Sequence, residues 1–126
     1  MKKDTRPMHL DLTRMKFPPM AIVSILHRIT GVLLFLLLPL ALYLLHHSLE
    51  SQISFAQLHA VVKMSVIKFL LWVMLSAVGY HLLAGIRHML MDIGFGEKLA
   101  TARFTAYFLI VLSIMVAVAA GVWIWA

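Results

Sequence analysis

The sequence predicts an all-α membrane protein with three transmembrane helices, and three observations carry that prediction. Of 126 residues, 63% are hydrophobic and 13% charged, with a mean hydropathy of +0.96, whereas soluble domains carry about one quarter charged residues. Three stretches contain no Asp, Glu, Lys or Arg: Ile29 to Leu49, Phe69 to Ile86 and Phe104 to Ala126. The first and third exceed the roughly 20 residues that a spanning helix needs. The second is shorter, but Lys63, Lys68 and Arg87 flank it and can snorkel to the headgroups. None of the three alternates apolar with polar residues as barrel strands do.

Taken in order, the elements form a single membrane-anchor domain over residues 1–126. Residues 1–19 are broken by Pro7, Pro18 and Pro19, which disfavour helix in the residues just before them, and read as an extended cytoplasmic arm. Helix one is expected over about 20–47, with Pro39 as a kink because it lacks a donor for the backbone ladder. The polar residues His46, His47, Ser48 and Glu50 then surface on the outer side. Ser54 can cap the next helix, whose early face of Phe55, Leu58, Val61 and Val62 suits the membrane interface. The second span is expected over about 64–92, stopped by Gly94, and the third over about 104–126, uniformly apolar and assigned to packing alone.

The net charge of +6 would point to nucleic acid in a soluble protein, but here the basic residues fall at the ends of apolar runs and report topology. Lys2, Lys3, Arg6, Arg14, Lys16 and Arg28 lie on the N-terminal side of span one, and Arg87, Lys98 and Arg103 join spans two and three. The first connection holds only Lys63 and Lys68. The positive-inside rule then places the N-terminus in the cytoplasm and the C-terminus in the periplasm, with Trp123 and Trp125 at the outer interface. A full-length span follows the basic start without a small-residue cleavage signal, so it reads as a retained helix. The chain has no cysteine, which excludes disulfides, thiolate-ligated haem and cysteine-held iron–sulfur clusters within it. Its one GxG, Gly94-Phe95-Gly96, follows a membrane helix and lacks the third glycine of a nucleotide fingerprint.

Chemistry concentrates in two places. His81 lies inside the second apolar run, and an ionisable ring in lipid is expensive enough to be a functional candidate. His81, Ala84, Gly85 and His88 repeat at the spacing of one helical face. The small middle of that stripe suits a flat macrocycle, for which histidine is the common nitrogen ligand, and equally suits close helix packing with His81 as a hydrogen-bonding residue. His88 lies seven residues beyond His81, roughly 10 Å along the axis, so the two cannot share one iron. His46 and His47 lie at the opposite face and His27 near the cytoplasmic one. A six-coordinate iron on His81 would therefore draw its second axial ligand from another polypeptide. On helix one, Ser24, His27, Arg28 and Gly31 share a side. A guanidinium with a hydroxyl suits a quinone carbonyl or a haem propionate, against the simpler reading that Arg28, like Arg87, snorkels.

Arg6-Pro7, the run Ser24-Ile25-Leu26-His27-Arg28-Ile29-Thr30-Gly31, and the run His81-Leu82-Leu83-Ala84-Gly85-Ile86-Arg87-His88-Met89-Leu90-Met91-Asp92 resemble the two signatures of the family of succinate dehydrogenase cytochrome b anchors. The resemblance extends over the whole chain, including its length and three-helix plan. It implies a membrane anchor of complex II in a bacterial inner membrane, bundled with a second three-helix anchor and docked under an iron–sulfur subunit and a flavoprotein subunit. It further implies one haem b shared with the second anchor, with His81 as an axial ligand; His27, Arg28 and His88 as propionate contacts; and Ser24 and Arg28 at a ubiquinone site. Arg87 and Asp92 belong to the signature with structural roles, such as a His88–Asp92 pair at helical spacing.

The expected function is thus electron transfer from succinate, oxidised on partner subunits, to ubiquinone, with no succinate chemistry on this chain. The alternative is a haem-free structural anchor of a fumarate reductase or succinate dehydrogenase-like complex. A proton or ion pathway through His81 and His88 ranks lower, because Phe69 to Tyr80 offers little polar continuation beyond Ser76 and Tyr80.

Overall fold

The computed structural model describes residues 17–126, which form four helices; the N-terminal arm with Lys2, Lys3, Arg6, Pro7, Arg14 and Lys16 lies outside the described residues. Three helices, α1 (Pro19–Glu50), α3 (Ser65–Asp92) and α4 (Leu99–Trp125), are long and apolar enough to cross a membrane, and α2 (Gln52–Val62) is a short helix between the first two. α3 packs along both α1 and α4, which also touch each other.

Local chemistry explains the ends. Pro18 is extended and Pro19 opens α1, where its missing N–H costs nothing because the first turn has no intrahelical acceptors to meet. α1 continues through Pro39 and ends at Glu50, past His47; in this last turn His47 Nδ1 lies 2.9 Å from Glu50 Oε2. The cap of α2 is Ser51, not Ser54: Ser51 Oγ accepts from the Ser54 amide at 3.0 Å, which makes Ser54 the third helical residue. On α2, Leu58 and Val62 are half-buried beside Ser54 while Phe55 and Val61 are exposed.

α3 closes on a left-handed glycine. Gly94 has φ +88°, its amide bonds Met91 O at 3.0 Å and the Phe95 amide bonds Leu90 O at 2.9 Å, the paired bonds of a Schellman motif. α4 begins at Leu99, earlier than the apolar run alone indicates. A charged residue such as Arg103 marks the edge of lipid contact rather than the end of helical backbone.

The buried apolar core among the described residues is small: Val23, Ala77, Ala84, Ala102, Ala106 and Leu109. Such side chains let helices approach closely, which is how membrane helices gain packing without a hydrophobic drive. The outside is apolar, with Phe35, Leu36, Leu49 and Trp123 broadly exposed. In water this surface would be an aggregation liability; it fits lipid or partner helices.

Candidate functional site

Three imidazoles meet where α1 packs on α3. The His27 ring stacks on His81 with centroids 4.1 Å apart and planes 17° from parallel, and on His88 at 5.1 Å and 24°. Glycines on each helix receive the ring of the other. A Cβ on Gly31 would fall 3.1 Å from His81 Cε1, and one on Gly85 would fall 3.4 Å from His27 Nε2. Ala84 is fully buried in a cluster with Val23, Ala106 and Leu109. On this face the small residues of the stripe admit the partner helix and its imidazole.

This geometry corrects the depth of His27. The charge-free run starts only after Arg28, which puts His27 near the cytoplasmic face and away from His81. The helix itself starts at Pro19, so His27 is two turns inside it and lies ring against ring with His81. Rings stacked face to face do not present their nitrogens to one metal ion between them.

Hydrogen bonding defines the tautomer of His81. Nδ1 lies 3.1 Å from His27 O and 3.2 Å from Thr30 Oγ1. A carbonyl only accepts, so Nδ1 carries the proton and Nε2 carries the lone pair. No described residue bonds Nε2. Ser76 Oγ is the one buried side-chain polar atom without a partner among the described residues. His88 is held likewise, with Nδ1 2.8 Å from Ala84 O. That bond replaces the expected His88–Asp92 pair, and no ion pair joins those two side chains. Among the described residues no three His, Cys, Asp or Glu side chains gather into a metal site.

Ser24 and Arg28 sit one turn apart on α1, on the side of His27 away from Thr30. Ser24 is half-buried, and Arg28 is exposed over a groove of about 400 Å³ with Ile29, Val32, Leu33 and Leu36. Neither bonds another described residue, so the structure groups His27, His81 and His88 and leaves this pair beside them.

Arg87 does not snorkel. It is 9% exposed, its Nε donates to Thr105 Oγ1 at 3.1 Å and its Nη2 to Ala102 O at 3.0 Å. α4 therefore supplies acceptors as well as packing. Sequence reasoning missed this although a signal existed: Ala102 and Ala106 repeat four apart, the mark of a face that admits another helix closely. It also left Thr30 and Tyr80 without roles. Tyr80 donates to Val23 O at 2.9 Å, tying α3 to α1 just above the imidazoles.

A family model described as the succinate dehydrogenase/fumarate reductase transmembrane subunit matches residues 2–120. A succinate dehydrogenase cytochrome b556 subunit of Coxiella burnetii is 52% identical over 95% of this chain and 97% of its own length. Proteins of the same description from Paracoccus denitrificans and Rickettsia typhi are 33% and 34% identical, covering 94% and 87% of this chain and 91% and 86% of their own. Three apolar helices long enough to span, and matches that run nearly end to end, make this a multi-pass membrane protein that belongs to the family of succinate dehydrogenase cytochrome b556 subunits.

Proposed function

We propose that this chain is the haem b-binding membrane anchor of succinate:ubiquinone oxidoreductase, complex II, and forms part of its quinone site. It lies in a bacterial inner membrane with its N-terminus cytoplasmic and its C-terminus periplasmic. A second three-helix anchor bundles against it, and the iron–sulfur and flavoprotein subunits dock on the cytoplasmic side. Succinate is oxidised on those partners and not here.

The observation that carries this reading is the His81 ring, with Nδ1–H committed to His27 O and Thr30 Oγ1 and with Nε2 bonded to no described residue. This is the arrangement in which a ligating imidazole is held by an acceptor behind it, so the residues fit a haem iron. His27 stacks on His81 instead of opposing it, which supports a second axial ligand from the other anchor. When bound, the haem supplies a one-electron reservoir beside the quinone site.

The other residues act by charge and position. His88 Nδ1 is spent on Ala84 O, which leaves Nε2 as the ring nitrogen that would meet a propionate. His27 and Arg28 complete the propionate contacts, His27 from between the two other rings. Arg28 also offers a permanently charged fork of donors, which stabilises negative charge developing on a quinone oxygen, and Ser24, one turn away, donates to a carbonyl and holds the ring.

Replacing His81 with Leu in the assembled complex is expected to abolish or alter the visible haem spectrum. Arg28→Leu and Ser24→Ala are expected to impair quinone reduction while succinate oxidation with artificial acceptors persists. An unchanged haem spectrum in an assembled His81→Leu complex overturns the ligand assignment, and a wild-type complex without haem leaves a structural anchor as the function.

A further inference from the structure

We propose that Thr30 is a positioning residue for the haem: its hydroxyl accepts from His81 Nδ1–H and thereby fixes the orientation and the electron donation of the imidazole presented to iron. The proposal rests on the reading of His81 as an axial ligand.

Thr30 Oγ1 has three neighbours at bonding distance: Leu26 O at 2.9 Å, His27 O at 3.0 Å and His81 Nδ1 at 3.2 Å. Two of them are carbonyls, which only accept, so the single hydroxyl proton points back into α1. The oxygen lone pairs are then left for the His81 N–H, which is itself required by the His27 carbonyl. A relay results in which His81 donates to Thr30 and Thr30 donates to its own helix, each bond polarising the next.

A purely local role accounts for only half of this. Threonines in helices commonly bond the carbonyl one turn back, and that explains where the hydroxyl proton goes. It does not explain why the oxygen meets a ring 51 positions away in sequence. Gly31 makes the meeting possible, since the space a side chain would need lies against His81 Cε1. Thr30 and Gly31 together form a socket of an acceptor and a gap, which receives the Nδ1 and Cε1 edge of the ring.

Acceptors behind a ligating imidazole make it a stronger donor to the metal. Stronger donation favours ferric over ferrous iron, so removing one of the two acceptors shifts the balance toward ferrous. Thr30→Val keeps the branched shape and removes the hydroxyl, while Thr30→Ser keeps the hydroxyl and removes the methyl.

Redox titration of the haem band in the purified complex, with low-temperature paramagnetic resonance of the ferric state, tests this. Thr30→Val is expected to raise the ferrous-to-ferric ratio at a fixed ambient potential about threefold, a rise in midpoint of about 30 mV for a one-electron couple. The ferric resonance positions move with it, and Thr30→Ser restores both toward wild type. Thr30→Ala gives the same readout should the valine variant fail to assemble. A haem-loaded Thr30→Val or Thr30→Ala complex with wild-type midpoint and resonance overturns the proposal and leaves His81 ligation standing; so does a serine variant that behaves like valine. A wild-type complex in which His81 ligates no haem overturns both.

Discussion

Where α1 meets α3, the contact is made of three imidazoles, a threonine and two glycines, and the Nε2 atoms of His81 and His88 bond no described residue. Where α3 meets α4, the polar groups of Arg87, Thr105 and Trp72 are partnered. Arg87 bonds Thr105 and Ala102 O, Trp72 Nε1 donates to Ala117 O at 2.9 Å, and Gly79 and Gly121 lie against Val116 and Trp72. Among the described residues the first contact leaves the two Nε2 atoms unbonded; the second pairs the polar groups of Arg87, Thr105 and Trp72. In a bilayer an unmet polar group costs several kcal/mol, so under the proposed function a ligand is expected to close the first contact, while the second is expected to act as scaffold.

The largest expected effect that separates the two lies on the scaffold side. Arg87→Ala removes two hydrogen bonds from a charged donor, each worth about 1.5–3 kcal/mol, and empties part of the helix interface. Thr105 Oγ1 remains 3.2 Å from Ala102 O and can donate to it, which limits the loss. A net destabilisation of about 2–3 kcal/mol is expected, read as a lower temperature at which the detergent-solubilised complex dissociates. The haem spectrum of the complex that survives should be that of wild type. A spectral change without a stability loss would reverse the roles given to the two contacts.

A single methyl group placed on each contact sharpens the comparison. On Gly79 a Cβ would lie 2.6 Å from Val116 Cγ1, closer than a β-branched neighbour can tolerate without backbone movement. Gly79→Ala is therefore expected to cost about 1–3 kcal/mol by overpacking, with wild-type haem resonance, and Val116→Ala should relieve it. On Gly31 the same methyl would meet His81 Cε1 at 3.1 Å, so the ring gives by a few tenths of an ångström. Gly31→Ala should thus shift the ferric resonance while changing stability by less than about 1 kcal/mol. Equal readouts from the two alanines would show that the contacts do not differ in kind.

The same contrast explains what is legible in the sequence. Spans announce themselves through runs of apolar residues, because lipid imposes one rule on every residue it touches, and the three spanning helices follow from it. His81 stands out because an imidazole in such a run needs a reason. Register between helices leaves no such mark. Counting from the nearest charge misjudges the depth of His27, and the stacking of His27 on His81 depends on how α1 slides along α3. Arg87 reads as snorkelling because its acceptors, Thr105 and a main-chain carbonyl, lie 15 to 18 positions away on another helix and leave no local pattern. Ser54 fails as a cap for a smaller reason, since Ser51 and Ser54 both offer a hydroxyl and only backbone conformation chooses between them.

The smallest effect tests whether the closed contact owes anything to the end away from Arg87. Trp72 lies against Gly121, where a Cβ would fall 3.3 Å from Nε1, and it also meets the Trp125 ring with centroids 6.3 Å apart. Trp72→Phe keeps an aromatic ring in that slot and removes the bond to Ala117 O. Polar contacts between membrane helices average about 0.6 kcal/mol, because the freed groups find other partners in the separated state. A carbonyl inside a helix already accepts from its own ladder, so Ala117 O is not orphaned by the change. The expected loss is therefore below about 1 kcal/mol, visible as a small fall in dissociation temperature and absent from both the haem midpoint and the ferric resonance. A larger loss would mean that the indole bond fixes the register of α4 on α3. Arg87, at the other end of the same pair, would then be cooperative with it, and Trp72→Phe combined with Arg87→Ala would destabilise by other than the sum of the two.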